Sequence, residues 1–326
     1  MRGYWFVPAL ILFAWALPAG GQETAAPTVA ALPEGDAGIA AKYPGDVGIE
    51  KDPAVILYDG FEECAKTADV HKKWNFVLHD ESITIAEEAA NVNHGKKAVE
   101  FTLPHQQAGH SIALYNVIKE ERDVLFLRFY SKFEKGYEGR GSSHNGGVIA
   151  AHYFPGGQAT PGKRADGQNK FLAGYETERG RAKSPGPLNI YCYHPEQRSL
   201  FGDHIYPTGT IVPSSELPNP FGPQFVSRPD FIPELDRWYC YEYMLKANTP
   251  GQRDGRIACW VDGKVIADFP NFRFRDVETL KIDLFGVSLF MRPNSIRSNK
   301  KWYDDVVAAT SYIGPIVKAK KSPAKP

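Results

Sequence analysis

Residues 237–269 read RWYCYEYMLKANTPGQRDGRIACWVDGKVIADF. Two runs with alternating apolar positions flank a stretch holding Pro250-Gly251 and Asp254-Gly255, and a shorter turn follows at Asp262-Gly263. Successive strand side chains point to opposite faces, and Gly-containing turns supply the backbone angles that tight reversals need. The pattern is therefore that of antiparallel strands in a meander. On this reading Cys240 and Cys259 flank the 247–255 turn and fall opposite or nearly opposite one another on one face. A cross-strand disulfide and two free thiols packed as small apolar groups are both open there, and Cys64 and Cys192 are left to pair or stay free.

Similar strand-like runs lie on either side: 56–61, 82–86, 97–103, 111–117, 124–133, 148–154, 171–176 and 188–194 before the meander, 280–291 and 302–310 after it. Many short strands, Gly/Pro-rich turns and almost no helical periodicity argue for an all-β sandwich of two antiparallel sheets, a single domain over residues 51–316. The stretch 199–236 interrupts the series with prolines at 207, 213, 218, 220, 223, 229 and 233. A loop of this length inside a domain is either a binding lid or an insertion covering a sheet edge.

The chain opens with Arg2, an apolar run over 4–17 and the small-residue stretch 18–21. This is the order of a signal peptide, so residues 1–21 are expected to be cleaved and the protein to be secreted or periplasmic. The apolar run is shorter than the ~20 residues that span a bilayer, and no membrane span is expected after cleavage. Residues 22–50, rich in Ala, Pro and Gly, read as a flexible linker, and 317–326 as a basic, disordered tail. The 38 basic residues balance 38 acidic ones, so no global field draws nucleic acid or an anionic membrane. An anionic partner must be met by local positive side chains on what is expected to be a monomer.

Alternation also assigns faces. Over 124–133 the odd positions Leu125, Leu127, Phe129 and Phe133 are apolar, so Arg128, Tyr130 and Lys132 project from the other side. Over 188–194, Leu188, Ile190 and Cys192 share one face, and Asn189, Tyr191 and Tyr193 the other. A strand face of Tyr with Asn, Arg or Lys suits a polysaccharide, because aromatic rings cover sugar C–H faces while polar groups hold hydroxyls and carboxylates. Tyr239, Tyr241 and Tyr243 are expected to fill the layer between the sheets instead.

The runs Tyr58-Asp-Gly-Phe-Glu62, Leu127-Arg-Phe-Tyr-Ser-Lys-Phe133, Trp260-Val-Asp-Gly-Lys264 and Trp302-Tyr-Asp-Asp-Val-Val307 resemble concanavalin A-like jelly rolls. Asn189-Ile-Tyr-Cys-Tyr-His-Pro-Glu-Gln197, followed by Gly202-Asp203, is similar to the alginate and glucuronan lyase-like group, in which a Tyr-x-Tyr strand lines the cleft. The resemblance implies β-elimination at a uronic acid of an anionic polysaccharide. That chemistry needs a group to neutralise the C5 carboxylate, a base for the C5 proton and an acid for the leaving oxygen. It makes Tyr191 or Tyr193 the proton-transfer group, its pKa lowered by a neighbouring cation, with Arg128 or Lys132 neutralising the carboxylate and His152 an alternative base. Tyr130, Lys132, Asn189 and Arg198 are then the substrate-binding candidates. The segment Gly141-Ser-Ser-His-Asn-Gly-Gly147 departs from the Lys-x-x-Gly stretch of the group.

A jelly-roll hydrolase would want a Glu-x-Asp-x-x-Glu run, and none is present. No Cys/His set has zinc spacing, no Gly-rich loop precedes a helix, and no Ser elbow occurs, so no metal centre or cofactor is expected. Asp304-Asp305 would suit a structural calcium ion, although a cap on a strand and turn is the plainer reading. The alternative to a lyase is a non-catalytic carbohydrate-binding or cell-surface jelly roll.

Overall fold

The meander forms as its residues ask. Asp262 and Gly263 both take positive φ (49° and 76°) between the paired Val261 and Lys264, the two-residue turn whose twist matches the flanking strands. The computed structural model describes residues 30–139, 144–213, 220–293 and 296–318. The expected signal peptide, residues 22–29 of the expected linker, residues 319–326 of the tail and residues 214–219 of the proline-rich stretch lie outside the described residues.

The strands are β1 (Val55–Asp59), β2 (Phe76–Leu78), β3 (Ile83–Ala86), β4 (Ala98–Leu103), β5 (His110–Arg122), β6 (Val124–Phe133), β7 (Gly147–Ala151) and β8 (Phe171–Thr177). There follow β9 (Leu188–Tyr193), β10 (Asp203–Ile205), β11 (Ile211–Val212), β12 (Tyr239–Lys246), β13 (Gly255–Val261), β14 (Lys264–Phe272), β15 (Ile282–Met291) and β16 (Asn299–Ala309). The first sheet runs β14-β13-β12-β6-β16-β4-β3 with β1 also on β16; the second runs β11-β10-β9-β8-β7-β15-β5-β2. Every pairing is antiparallel. Helical turns among the described residues are short 3-10 pieces, and no helix there is long and apolar enough to cross a membrane.

The core lies between the sheets. Leu125, Leu127, Phe129 and Phe133 enter it from β6, Tyr239, Tyr241 and Tyr243 from β12, and Ile190 and Cys192 from β9. Tyr241 stacks on Phe129 with ring centroids 5.5 Å apart, so the three alternate tyrosines of β12 are core residues as expected. The cysteine geometry is corrected by register. Tyr243 pairs with Cys259 and Cys240 with Tyr130, which sends Cys259 into the core and Cys240 to the outer face of the same sheet. All four cysteines are free and buried, so no disulfide forms.

The expected linker is also corrected. Ile39, Ala40 and Ile49 are buried on the outer face of the first sheet against Phe126, Trp260, Tyr312 and Ile313. The backbone N–H groups of Ile39 and Ala40 donate to the carbonyls of Tyr312 and Ile313, at 3.0 and 2.9 Å. Two isoleucines in an Ala/Pro/Gly-rich stretch help to seat it, together with these backbone bonds and the buried Asp46, and the packed unit begins at Ala31 rather than residue 51. The 199–236 stretch likewise acquires structure. It adds β10 and β11 beside β9, and buries Phe221 against Phe269 and Phe272.

Candidate functional site

The outer face of the second sheet carries the aromatic and polar side chains. Tyr191 pairs in register with Gly174, Gly174 with Val148, Val148 with Gly286, and Gly286 with Tyr115. Two glycines in this row leave the floor low between the tyrosines. One register step away, Asn189 lies opposite Glu176, and His204 of β10 lies opposite Tyr191.

His144 stands at the entry to β7, over this floor. It takes a left-handed conformation (φ 73°), which turns the chain and sets the imidazole off the strand path. Asn145 clamps that turn. Its buried side chain accepts from the Thr177 N–H (2.9 Å) and donates to the Thr177 carbonyl (2.9 Å). Gly146 follows because a Cβ there would lie 2.0 Å from the Tyr175 carbonyl oxygen. His144, Asn145 and Gly146 thus act together to place one ring.

That ring meets a carboxylate and a phenol. His144 Nδ1 is 3.1 Å from Glu176 Oε2, and its ring centroid is 4.6 Å from that of Tyr191. Glu176 is buried, and its Oε1 has no hydrogen-bond partner among the described residues. The Tyr191 ring also contacts His204 (5.0 Å), whose Nδ1 is 3.0 Å from Asn189 Oδ1. The Tyr191 hydroxyl accepts from the Gly202 N–H at 3.0 Å and donates to the Tyr193 hydroxyl at 3.4 Å. Tyr193 is in turn covered by Tyr153 (5.2 Å) and by Lys170, whose ammonium sits 4.5 Å from both rings.

Burial sets the protonation states. It pushes the Tyr191 phenol well above its ordinary range, with the Tyr193 hydroxyl adding to the effect, so Tyr191 is a protonated phenol near neutrality. The expectation that a cation lowers it is overturned. Burial, helped by Lys163, brings Lys170 down to about 8, and burial also lowers His204. Glu178 is raised by burial and by Glu176, against the pull of the exposed Arg292.

The sequence-predicted residues divide between the two sheets. Tyr191, Tyr193 and Asn189 share the outer face of the second sheet, although Tyr191 is only 7% exposed and Tyr193 not at all. His152 lies at the far end of β7 from His144. It reaches Glu121 of β5 (3.0 Å), across β15 and away from β9. Arg198 is half-buried in the connection from β9 to β10. Arg128, Tyr130 and Lys132 belong to the first sheet and point out of its other side. Arg128, wholly buried, is paired with Asp46 and donates to the carbonyls of Gly314 (3.1 Å) and Asp305 (3.2 Å). The Tyr130 hydroxyl accepts from the Ile316 N–H at 2.8 Å, and Lys132 donates to the carbonyl of Ala90 and to Asn91 Oδ1. Alternation placed these three on the correct side of their strand, but the N-terminal segment and the chain after β16 cover Arg128 and Tyr130, and the Ala90-Asn91 turn covers Lys132.

Four residues of the site escaped the sequence reading: His144, Glu176, His204 and Arg292. His144 lay within the departing Gly141–Gly147 segment, whose first residues to Ser143 are outside the described residues. The signal was a His-Asn-Gly-Gly run entering a strand, which marks a left-handed turn and close backbone approach. Asp304 and Asp305 hold N–H groups: Asp304 accepts from the backbone of Asn93 (2.9 Å) and His94 (3.2 Å), and Asp305 from the Asn93 amide (3.1 Å). Donors of this kind fit the capping role of the two carboxylates.

Two eight-stranded antiparallel sheets, one of them with an aromatic, polar outer face, make the fold a jelly-roll sandwich. Among solved structures, alginate lyase Aly36B, determined as a mutant with alginate trisaccharide, superposes with a TM-score of 0.54 at 14% identity, over 78% of this chain and 98% of that one. The PL-14 alginate lyase of the marine Aplysia kurodai gives 0.52 at 13% identity (79% and 99%). The endo-β-1,4-glucuronan lyase of the fungus Trichoderma reesei gives 0.50 at 16% identity (79% and 96%). Likeness at this level of identity establishes the fold. No protein-family model and no curated protein sequence matches the chain.

Proposed function

We propose that the protein is an exported polysaccharide lyase that cleaves a uronic-acid-containing chain by β-elimination across the outer face of the second sheet. The observation that carries this reading is the Glu176–His144–Tyr191 arrangement, a half-exposed imidazole held by a buried carboxylate and packed on a protonated phenol. In the reaction His144 removes the C5 proton. The electron pair forms the C4–C5 double bond, the C4–oxygen bond breaks, and Tyr191 returns a proton to the leaving oxygen. Charge that builds on the substrate carboxylate faces Arg292, with Asn189 and His204 as hydrogen-bonding partners. The named substrates of the structural neighbours, alginate and glucuronan, set the class of polymer to try first.

The burial of Tyr193 and the withdrawal of Arg128 to the other sheet favour a second reading, a carbohydrate-binding jelly roll without catalysis. Incubation with a panel of alginate, glucuronan and related polyuronates separates the two. Ultraviolet absorbance from the conjugated unsaturated end supports elimination. Retained binding without that absorbance moves the assignment to the second reading.

A further inference from the structure

We propose that His79, Glu81 and His110 form a binding site for one divalent transition-metal ion of the zinc class. His79 and Glu81 lie in the turn between β2 and β3, and His110 is the first residue of β5, the strand on which β2 pairs. One ligand atom from each of the three side chains lies within 4.8 Å of the other two. The imidazole centroids are 4.3 Å apart with their planes 46° from parallel, and His79 Nδ1 is 2.7 Å from Glu81 Oε1. Ligands on a tetrahedral zinc ion, each at about 2.0–2.1 Å, stand about 3.4 Å from one another. Two exposed side chains and one half-buried one can close the remaining gap, about 1.4 Å at most, by rotation about their own bonds.

The donor set selects the ion. Two imidazoles and one carboxylate suit zinc, cobalt, nickel or copper, whereas calcium and magnesium take oxygen ligands. Three protein ligands leave one coordination position to water. Ser82 Oγ, 2.9 Å from His110 Nε2, fixes that ring. Without an ion, the His79–Glu81 hydrogen bond keeps the turn closed, and the metal replaces its proton. The spacing of two residues and then 29 resembles no zinc motif, and only the β2–β5 pairing brings the three together.

The test uses the full mature chain without a histidine tag, stripped with chelator and titrated with zinc chloride by calorimetry. The inference predicts one ion per chain with a dissociation constant in the micromolar range or below, weakened at least tenfold by His79→Ala, Glu81→Ala or His110→Ala. Each variant is expected to keep the metal-free melting temperature of the parent, and zinc should raise that temperature in the parent alone. Should a variant fail to fold, copper(II) titration of the parent gives an independent reading, with the ring protons of His79 and His110 broadened first among the nine histidines. Absence of one-to-one binding, unchanged affinity in folded variants, or broadening that begins at other histidines would overturn the site. Because the ligand is the bare ion, the result stands apart from the lyase assignment.

Discussion

Replacing Asp46 by Asn removes the charge that faces Arg128 while keeping a residue type that tolerates the left-handed backbone at that position (φ 55°). Both partners are almost fully buried, and the Arg128 guanidinium already has an Nε without a hydrogen-bond partner. Leaving a buried charge uncompensated costs about 3–5 kcal/mol, and the amide oxygen that remains puts this substitution near the lower figure. A domain that starts at Ala31 and runs to the end of the chain has an unfolding entropy near 0.6 kcal/mol/K, at about 2.1 cal/mol/K per residue. The expected fall in melting temperature is therefore about 5 °C, read by calorimetry and checked by urea unfolding. The double substitution Asp46→Asn with Arg128→Met removes both charges, keeps a residue that tolerates the left-handed position, and should recover most of that loss. A fall below about 1 °C for Asp46→Asn would refute the view that this pair pins the N-terminal segment to the first sheet. So would loss of polyuronate cleavage with no change in stability, which would return Arg128 to the chemistry.

Three further outcomes follow from buried groups. Burial, opposed by the N–H groups of Ile313 and Gly314, raises Glu242 from 4.5 to about 7, so between those values the folded chain holds a proton that the unfolded chain has released. Stability should therefore fall by up to about 3 kcal/mol as pH rises from about 4.5 to about 7 and then level off, a slope absent from Glu242→Gln; parallel denaturation curves for the two proteins would exclude this. Lys301 is buried between the sheets, over the Phe133 ring at 3.9 Å, with its pKa well below the ordinary lysine value through burial. Its amino group donates to the buried Asn145 carbonyl, so Lys301→Met should cost about 1–3 kcal/mol in urea unfolding, and an unchanged stability would show that this bond adds nothing to the fold. Gly146→Ala forces β7 off β8, costing about 1–3 kcal/mol, and should displace the His144 and Tyr191 resonances together; shifts confined to residue 146 would deny the proposed linkage.

Much of the fold was legible because alternation and turn chemistry are local. The Asp262-Gly263 reversal, the core-facing tyrosines of β12 and the outward face of Asn189, Tyr191 and Tyr193 all follow from period and parity alone. Parity does not say which sheet a strand joins. Arg128 and Tyr191 were both on polar faces, yet those faces look out of opposite sides of the sandwich. Nor does composition reveal that Ile39 and Ile49 would seat an Ala/Pro/Gly-rich stretch over one of them. His144 was hidden for a related reason. Its position depends on a left-handed turn and on a clamp to Thr177, 33 residues beyond it, and neither leaves a periodic trace. The disulfide geometry failed on register, since the turn at 247–255 offsets Cys240 from Cys259 by an odd number of places.

The most direct test of the account pairs two readings on the same samples: the rate of unsaturated-product formation from polyuronates, and oligouronate affinity by calorimetry, for the parent protein and His144→Gln. The account predicts product from the parent, a rate lower by about 10²–10⁴ in the variant, and affinities within a few-fold of each other. Equal rates would remove His144 from the reaction, and binding by both proteins with product from neither would leave a sugar-binding jelly roll without lyase chemistry.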